Sequence, residues 1–332
     1  MNETQPLISV IVTSYSMERL GDLTALLGSL ENQTYPHIEI ILVLEKSQEL
    51  LSSVSEYVRQ KGYANVRLLF NSGASGASAA RNLGVRGAHG ALLAFIDDDG
   101  VATAGWLEVV VNAFEKRQDV VGVTGPILPL WENGKFKWLP EEFYWIVSCM
   151  PASSAQPFEV RNAWGDNMSF RREAFEKGGL FLTELGAKGG GSSGKHELVG
   201  EDTEFSLRAR RASGKRIICA PEAVVYHRAD EYRFSNSFIA SRAYWEGYTK
   251  VLLKKALGKQ HTDTLAVEHK LLGNILMRLL PSTLAGLVTR PVRSWKRLKL
   301  IAIALSGIAL GYARGTFQRT DRLGGKACIE YL

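Results

Sequence analysis

Cysteine is scarce: Cys149, Cys219 and Cys328 are the only three in 332 residues. Odd in number and far apart, they form neither a disulfide framework nor a zinc-binding spacing, which suits a reducing compartment. No G-x-G-x-x-G follows the first apolar run, which argues against a dinucleotide fingerprint. Gly189 to His196 (GGGSSGKH) has the glycines of a phosphate loop, but His196 stands where Ser or Thr is required and no apolar strand precedes it. The N-terminus, Met1 to Pro6, lacks the basic and apolar regions of a signal peptide. Leu300 to Ala313 carries no charge over 14 residues, short of the roughly 20 that a spanning helix needs. With 45% hydrophobic and 22% charged residues, the chain is neither disordered nor collagen-like.

What is present is an uneven distribution of charge. The total of 40 Lys and Arg against 34 Asp and Glu gives +6. From Arg242 onward there are 16 basic and 5 acidic residues, leaving an excess of acid before that point. A basic tail implies an anionic partner. Arg290, Arg293, Trp295, Lys296, Arg297 and Lys299 precede the uncharged run, and Trp beside cations suits a helix at an anionic membrane surface. The plainer alternative is a C-terminal helix packed on the body behind a solvated basic linker. Nucleic acid is not expected, because the cations sit among aliphatic residues and not among base-stacking aromatics.

The first 130 residues alternate short apolar runs with amphipathic ones. Strands are predicted at 7–15, 38–45, 66–71 and 91–99, and helices at 17–33, 48–61 and 75–87. Near-continuous apolar strands alternating with helices specify an α/β protein with a mostly parallel central sheet covered on both faces. Further along, the reading is a helix at 106–116, a strand at 120–125, a loop-rich stretch at 126–165, a glycine-rich lid at 186–200, a helix at 201–213, a strand pair at 216–228 and helices beyond 235.

Ligands of such sheets gather at the carboxyl ends of the strands. There stand Thr13, Ser14 and Tyr15, then Glu45, and then Asp97, Asp98 and Asp99. Three adjacent carboxylates repel one another, and a hard divalent ion, Mg²⁺ or Mn²⁺, would offset them. A solvated acidic turn is the plainer alternative. Glu201 and Asp202 open a helix after the glycine-rich stretch, as caps or as catalytic carboxylates. His227 ends the last strand, as a structural residue or a third metal ligand.

The ordered pieces SVIVTSY, EIILVLE, ARNLG, FIDDD, WGDNMSFRR, GEDTEFSLR and VVYHR resemble glycosyltransferase family 2, over about Leu7 to His227. The resemblance implies a GT-A fold over residues 1–235, followed by a basic, amphipathic extension over 236–332. It implies that Thr13, Ser14 and Tyr15 line the nucleotide base pocket and that Glu45 stands where the family has an Asp contacting uracil. Here the usual Asp pair is Leu44-Glu45, which leaves the base open. Arg81 would approach the nucleotide or its phosphates. Asp97 and Asp99 would form the DXD motif, near the ribose and on the metal, with Asp98 sharing either role. Asn167 would lie near the acceptor or the donor sugar, with Trp164 on the acceptor side, and Asp202 would be the general base with Glu201 beside it.

The activity so implied is metal-dependent, inverting transfer of one sugar from a nucleotide diphosphate sugar, with UDP the expected nucleotide. Processive members carry QxxRW after the catalytic Asp; here the nearest stretch is Arg242-Ala-Tyr-Trp245. The tail is similar to archaeal-type transferases acting on dolichyl-phosphate-linked sugars, glucuronosyl transfer among them. That implies a lipid-linked saccharide acceptor at the cytoplasmic face of the cell membrane. A soluble or protein acceptor with the tail used for oligomerisation, and a non-catalytic nucleotide-sugar binding protein, are the alternatives.

Overall fold

The computed structural model describes residues 5–131, 134, 136–151, 153–186, 199–257 and 266–317. The anticipated lid at 186–200 and Cys328 fall largely or wholly outside the described residues. The chain divides into two compact units: Met1–Leu128, Pro151–Gly190 and Glu201–Arg228 in the first, Pro129–Met150, Gly191–Gly200 and Ala229–Leu332 in the second.

The first unit begins with strand β1 (Ile8–Ser14), helix α1 (Leu20–Glu31), β2 (Ile38–Glu45), α2 (Gln48–Lys61), β3 (Val66–Asn71), α3 (Ala77–Gly87) and β4 (Leu92–Phe95). It continues through β5 (Gly100–Ala102), α4 (Trp106–Glu115), β6 (Val120–Thr124), β7 (Ile127–Leu130), which runs out of the unit, β8 (Phe158–Val160), β9 (Met168–Arg171), α5 (Glu173–Gly178), α6 (Glu201–Ser213), β10 (Arg216–Cys219) and β11 (Val225–Arg228). The main sheet has the order β3-β2-β1-β4-β9-β6-β10-β8. β1 is parallel to β2 and β4, while β9 runs antiparallel to both β4 and β6.

The sequence dictates the elements locally. Ile8, Val10, Ile11 and Val12 of β1 are all buried, as a strand covered on both faces requires. Ser47 caps α2 by accepting from the Leu50 amide (3.0 Å), and Gly62 ends it in the left-handed conformation. A Cβ at Gly84 would lie 2.5 Å from Ile11 Cγ2, so glycine lets α3 press directly onto β1.

Two expectations need correction. The fourth strand ends at Phe95, so the three aspartates sit in the turn between β4 and β5. The strands at 216–228 are no pair: β10 extends the main sheet, and β11 joins a small sheet ordered β5-β11-β7. In that small sheet His227 faces Gly100 across the ladder, one residue from Asp99.

The second unit holds α7 (Asn236–Leu257), α8 (Ala266–Asn274), a π-helical turn (Ile275–Leu279), α9 (Leu280–Thr289) and α10 (Pro291–Phe317). Phe136 joins it by stacking on Phe234, with ring centroids 3.6 Å apart. The tail is longer than its uncharged run. Ala266–Thr289 and Pro291–Phe317 are continuous helices of 24 and 27 residues, long and apolar enough to cross a bilayer. Only 17% and 33% of their most apolar windows are buried, so they are not core helices.

Candidate active site

Asp97, Asp98 and Asp99 form the floor of a polar cluster at the carboxyl end of β1 and β4. Ser14, the last residue of β1, donates its hydroxyl to Asp98 Oδ2 (2.5 Å). Arg19, in the turn before α1, pairs with Asp99 and stands 3.8 Å from Asp98 Oδ1. The other Asp99 oxygen faces His227 Nε2 at 3.2 Å. Burial and the adjacent Asp99 charge push the Asp98 carboxyl up to about 7, against the opposing pull of Arg19 and Ser14.

Arg81 joins this floor to the second acidic pair. It is buried on α3 and donates to Asp97 Oδ1 (2.9 Å) and Glu201 Oε1 (2.8 Å). Burial alone would lower its pKa, but Asp97 and Glu201 outweigh that and hold it above the usual arginine range. Asp202 lies beside the same junction. Its Oδ2 accepts from the Gly165 amide (3.2 Å), and its Oδ1 accepts from the Thr203 amide (2.6 Å) and hydroxyl (3.3 Å). Residues some 100 positions apart in sequence therefore share one cluster, with Arg81 as its tie.

The other expected residues fall into two groups. Thr13 and Tyr15 border the cluster half-buried, with Lys46 Nζ 5.5 Å from the centre of the Tyr15 ring. Trp164, also half-buried, pairs by a β-bridge with Asn167. Glu45 is buried and accepts from Asn71 Nδ2 (3.0 Å) and the Gly76 amide (3.2 Å), so it fixes the loop that launches α3. Asn167 corrects its expectation. It is 0% exposed, its amide donates to the Pro126 and Ala223 carbonyls, and its Oδ1 accepts from Trp106 Nε1. With those bonds made and no exposed surface, it braces the site from behind and does not face an acceptor.

Two residues escaped the sequence reading. Asp166 Oδ1 accepts from the Asp97 amide (2.8 Å), and its buried Oδ2 has no hydrogen-bond partner. Burial and the charges of Asp97 and Asp99 raise its pKa well above the usual range. Its signal was a carboxylate in the tight Gly165-Asp166-Asn167 turn. Arg19 was detectable as a cation in the first turn after β1, where a doubly wound sheet directs side chains at a ligand.

Does a divalent ion suit this cluster? Asp97, Asp98, Asp99 and Glu201 share Arg19 and Arg81, with the buried Asp166 beside them, an excess of hard anionic oxygen that Mg²⁺ or Mn²⁺ would offset. The orphaned Asp166 Oδ2 and His227 Nδ1 are further donors or acceptors in want of partners. Among the described residues no three ligands already converge on one point, so loading requires side chains to turn. The donor chemistry fits.

Residues 9–179 match the model of Glycosyl transferase family 2. The chain is 30% identical over 310 residues to the glucosyl-dolichyl phosphate glucuronosyltransferase of Haloferax volcanii, covering 93% of this chain and 96% of that protein. It is 32% identical over 234 residues to the uncharacterized glycosyltransferase EpsJ of Bacillus subtilis, covering 67% of this chain and 61% of that one. Among solved structures, it is similar to a mannosyltransferase of Pyrobaculum calidifontis in complex with GDP-Man and Mn²⁺. The TM-score is 0.60 at 18% identity, covering 95% of this chain and 88% of that one. That likeness shows the GT-A fold, a mostly parallel central sheet with a helical C-terminal region.

Proposed function

The chain belongs to glycosyltransferase family 2, and from that membership we propose a specific reaction. It moves one sugar from a nucleotide diphosphate sugar, UDP-linked, to a hydroxyl of a lipid-phosphate-linked saccharide, inverting the anomeric centre. The observation that carries this reading is the junction at Arg81, which brings Asp97 and Glu201 to one guanidinium and leaves Asp202 beside it. The name of the Haloferax relative supports the lipid-phosphate acceptor. Residues 1–235 carry the chemistry, and 236–332 hold the protein at the cytoplasmic face of the membrane.

Asp97, Asp99 and His227 would hold the divalent ion, Mn²⁺ or Mg²⁺. When bound, it supplies positive charge against the charge that grows on the departing diphosphate. Thr13, Ser14 and Tyr15 border the nucleotide, and Arg81 adds a fixed cation that costs no reorganisation during reaction. Asp202 takes the proton of the acceptor hydroxyl as its oxygen bonds the anomeric carbon. The bond from that carbon to the diphosphate oxygen breaks, and its electron pair leaves with the diphosphate. One base and one displacement give inversion, with no second nucleophilic carboxylate. Amide and hydroxyl donors at Gly165 and Thr203 fix how the Asp202 carboxylate points. Without QxxRW, the product is a single addition.

The test is transfer from a panel of UDP- and GDP-sugars with Mn²⁺ to a short-chain polyprenyl-phosphate glycoside, for wild type and D202N. Transfer by D202N is expected to fall at least ~10³-fold, about 4 kcal/mol of barrier, with donor affinity within about three-fold. Wild-type turnover by D202N would remove Asp202 as the base. Equal transfer to a water-soluble glycoside would remove the lipid acceptor.

A further inference from the structure

In the second unit a cavity of about 350 Å³ opens between residues 137–138 and the first two turns of α10. Lys137, Trp138, Val292, Arg293 and Lys296 line it. It is a shallow depression open to solvent, with Lys137, Val292 and Lys296 exposed at its rim. Three of its five lining residues are cations. Among the described residues none of the three makes an ion pair, and the buried Arg293 Nε has no hydrogen-bond partner. The wall is built and not loose: Arg297 Nε donates to the Trp138 carbonyl (2.9 Å), and Lys296 Nζ lies 5.9 Å from the Trp138 ring centre.

Along α9 and the start of α10, which supplies part of the cavity wall, the chain exposes apolar side chains. Leu284 and Val288 of α9 and Val292 and Trp295 of α10 are all exposed. They are spaced three or four residues apart, with Arg290 and Arg293 among them and Lys296 and Lys299 just after. Exposed aliphatic residues interspersed with Trp and cations are the composition of an element lying in a lipid headgroup layer. Within such a layer, a small cavity with three cations that lack a carboxylate partner among the described residues, and with an aromatic wall, complements one anionic group. The guanidinium fork of Arg293 suits a phosphate with several oxygens.

We propose that this cavity is a binding site for the phosphate of a membrane lipid, seated as the surrounding apolar residues enter the bilayer surface. The inference rests on the reading that the extension docks on a membrane, and goes beyond it in naming a defined headgroup site in place of diffuse attraction.

The experiment measures sedimentation of the full-length protein with vesicles of phosphatidylcholine alone, or doped to equal surface charge with phosphatidic acid or with a fatty acid. Two charge-matched pairs are compared, R293Q/K296Q inside the cavity and R290Q/K299Q outside it. Diffuse attraction is worth roughly five-fold per cation, so it predicts about 25-fold weaker binding for either pair on either anionic vesicle. A phosphate site predicts a further ten-fold loss for R293Q/K296Q, on phosphatidic acid vesicles only. The conservative R293K should recover the charge but not that preference. Thermal unfolding midpoints within about 2 °C of wild type establish that the variants are folded; if R293Q/K296Q is not, K296Q alone should show part of the same preference.

Equal losses for the two pairs would overturn the cavity site and leave membrane docking standing. No binding to any vesicle would overturn the docking reading itself. Inorganic phosphate at millimolar concentration abolishing the preference in wild type, without a lipid chain, would overturn the lipid as occupant. So would tighter binding of a short DNA duplex.

Discussion

In the first compact unit Asp166 is 3% exposed and Asp99 4%, while in the second Val288 is 89% exposed, Val292 71% and Trp295 66%. Each unit places part of its side chains where the ordinary rule of burial forbids them. An ionised carboxylate withdrawn from water is costly unless it is paired. Around Asp97 to Asp99 two arginines, Arg19 and Arg81, serve four acidic groups, and the neighbouring buried Asp166 Oδ2 has no hydrogen-bond partner. A broad apolar face left in water is costly for the complementary reason, and on α9 and α10 nothing within the described chain covers it. The two violations are therefore of opposite kinds, buried charge in one unit and exposed apolar surface in the other.

The sharpest way to break that comparison is D99A. Loss of the carboxylate shared by Arg19 and His227 should reduce transfer at least ~10³-fold, about 4 kcal/mol, measured with labelled donor. Mn²⁺ affinity, read by electron paramagnetic resonance on the donor-free protein, should fall with it, and vesicle binding should not change. A parallel fall in vesicle binding would mean that the two units do not divide the work.

The complementary change is G311A. A Cβ there would lie 1.9 Å from the Tyr244 carbonyl oxygen, so α7 and α10 could not keep their contact. Overpacking against rigid backbone should cost about 3 kcal/mol, at the upper end of such changes. The readout is hydrogen exchange, with amides of α7 and α10 losing protection and those of β1 and β4 keeping it. Uniform loss of protection would show the two units to unfold as one.

How much of this was legible in the sequence depends on the range of the interaction. Gln48–Lys61 and Ile38–Glu45 form a helix and a strand over the residues that periodicity and capping specify, because those signals are local. The acidic groups were visible as carboxylates at element ends. Their assembly was not, because the Arg81–Glu201 bridge joins residues 120 apart. Asn167 shows the same limit from the other side. Its motif marked it for a ligand, yet its bonds go to Trp106, Pro126 and Ala223, which only the folded sheet brings near. The span of the last helix is not legible in its uncharged run, because that run is bounded by cations, whereas the helix continues through Arg293, Lys296 and Arg297. Long basic side chains can reach back to the headgroup level from such positions.

The smallest expected effect concerns Asp98, and its sign separates burial from pairing as the force that sets the floor of the site. Its carboxyl titrates near 7 in the folded chain against about 4 unfolded, so the folded state binds the proton more tightly. Stability from this group is then fully present below about pH 4 and is lost as pH rises from about 4 to about 7. D98N keeps the shape and cannot ionise. In the absence of metal it should be more stable than wild type at pH 8 by about 2 kcal/mol, roughly half of what a three-unit shift of an isolated group would carry. The difference should shrink toward zero at pH 4.5, measured by thermal unfolding in a chelator. If D98N is instead the less stable protein at pH 8, attraction to Arg19 and the Ser14 hydroxyl outweighs burial, and the acidic floor is a self-sufficient ion-pair cluster. If it is the more stable one, the floor is strained while empty, and saturating Mn²⁺ should give wild type a gain at pH 8 that fades toward pH 4.5, where the carboxylates that would hold the ion are protonated.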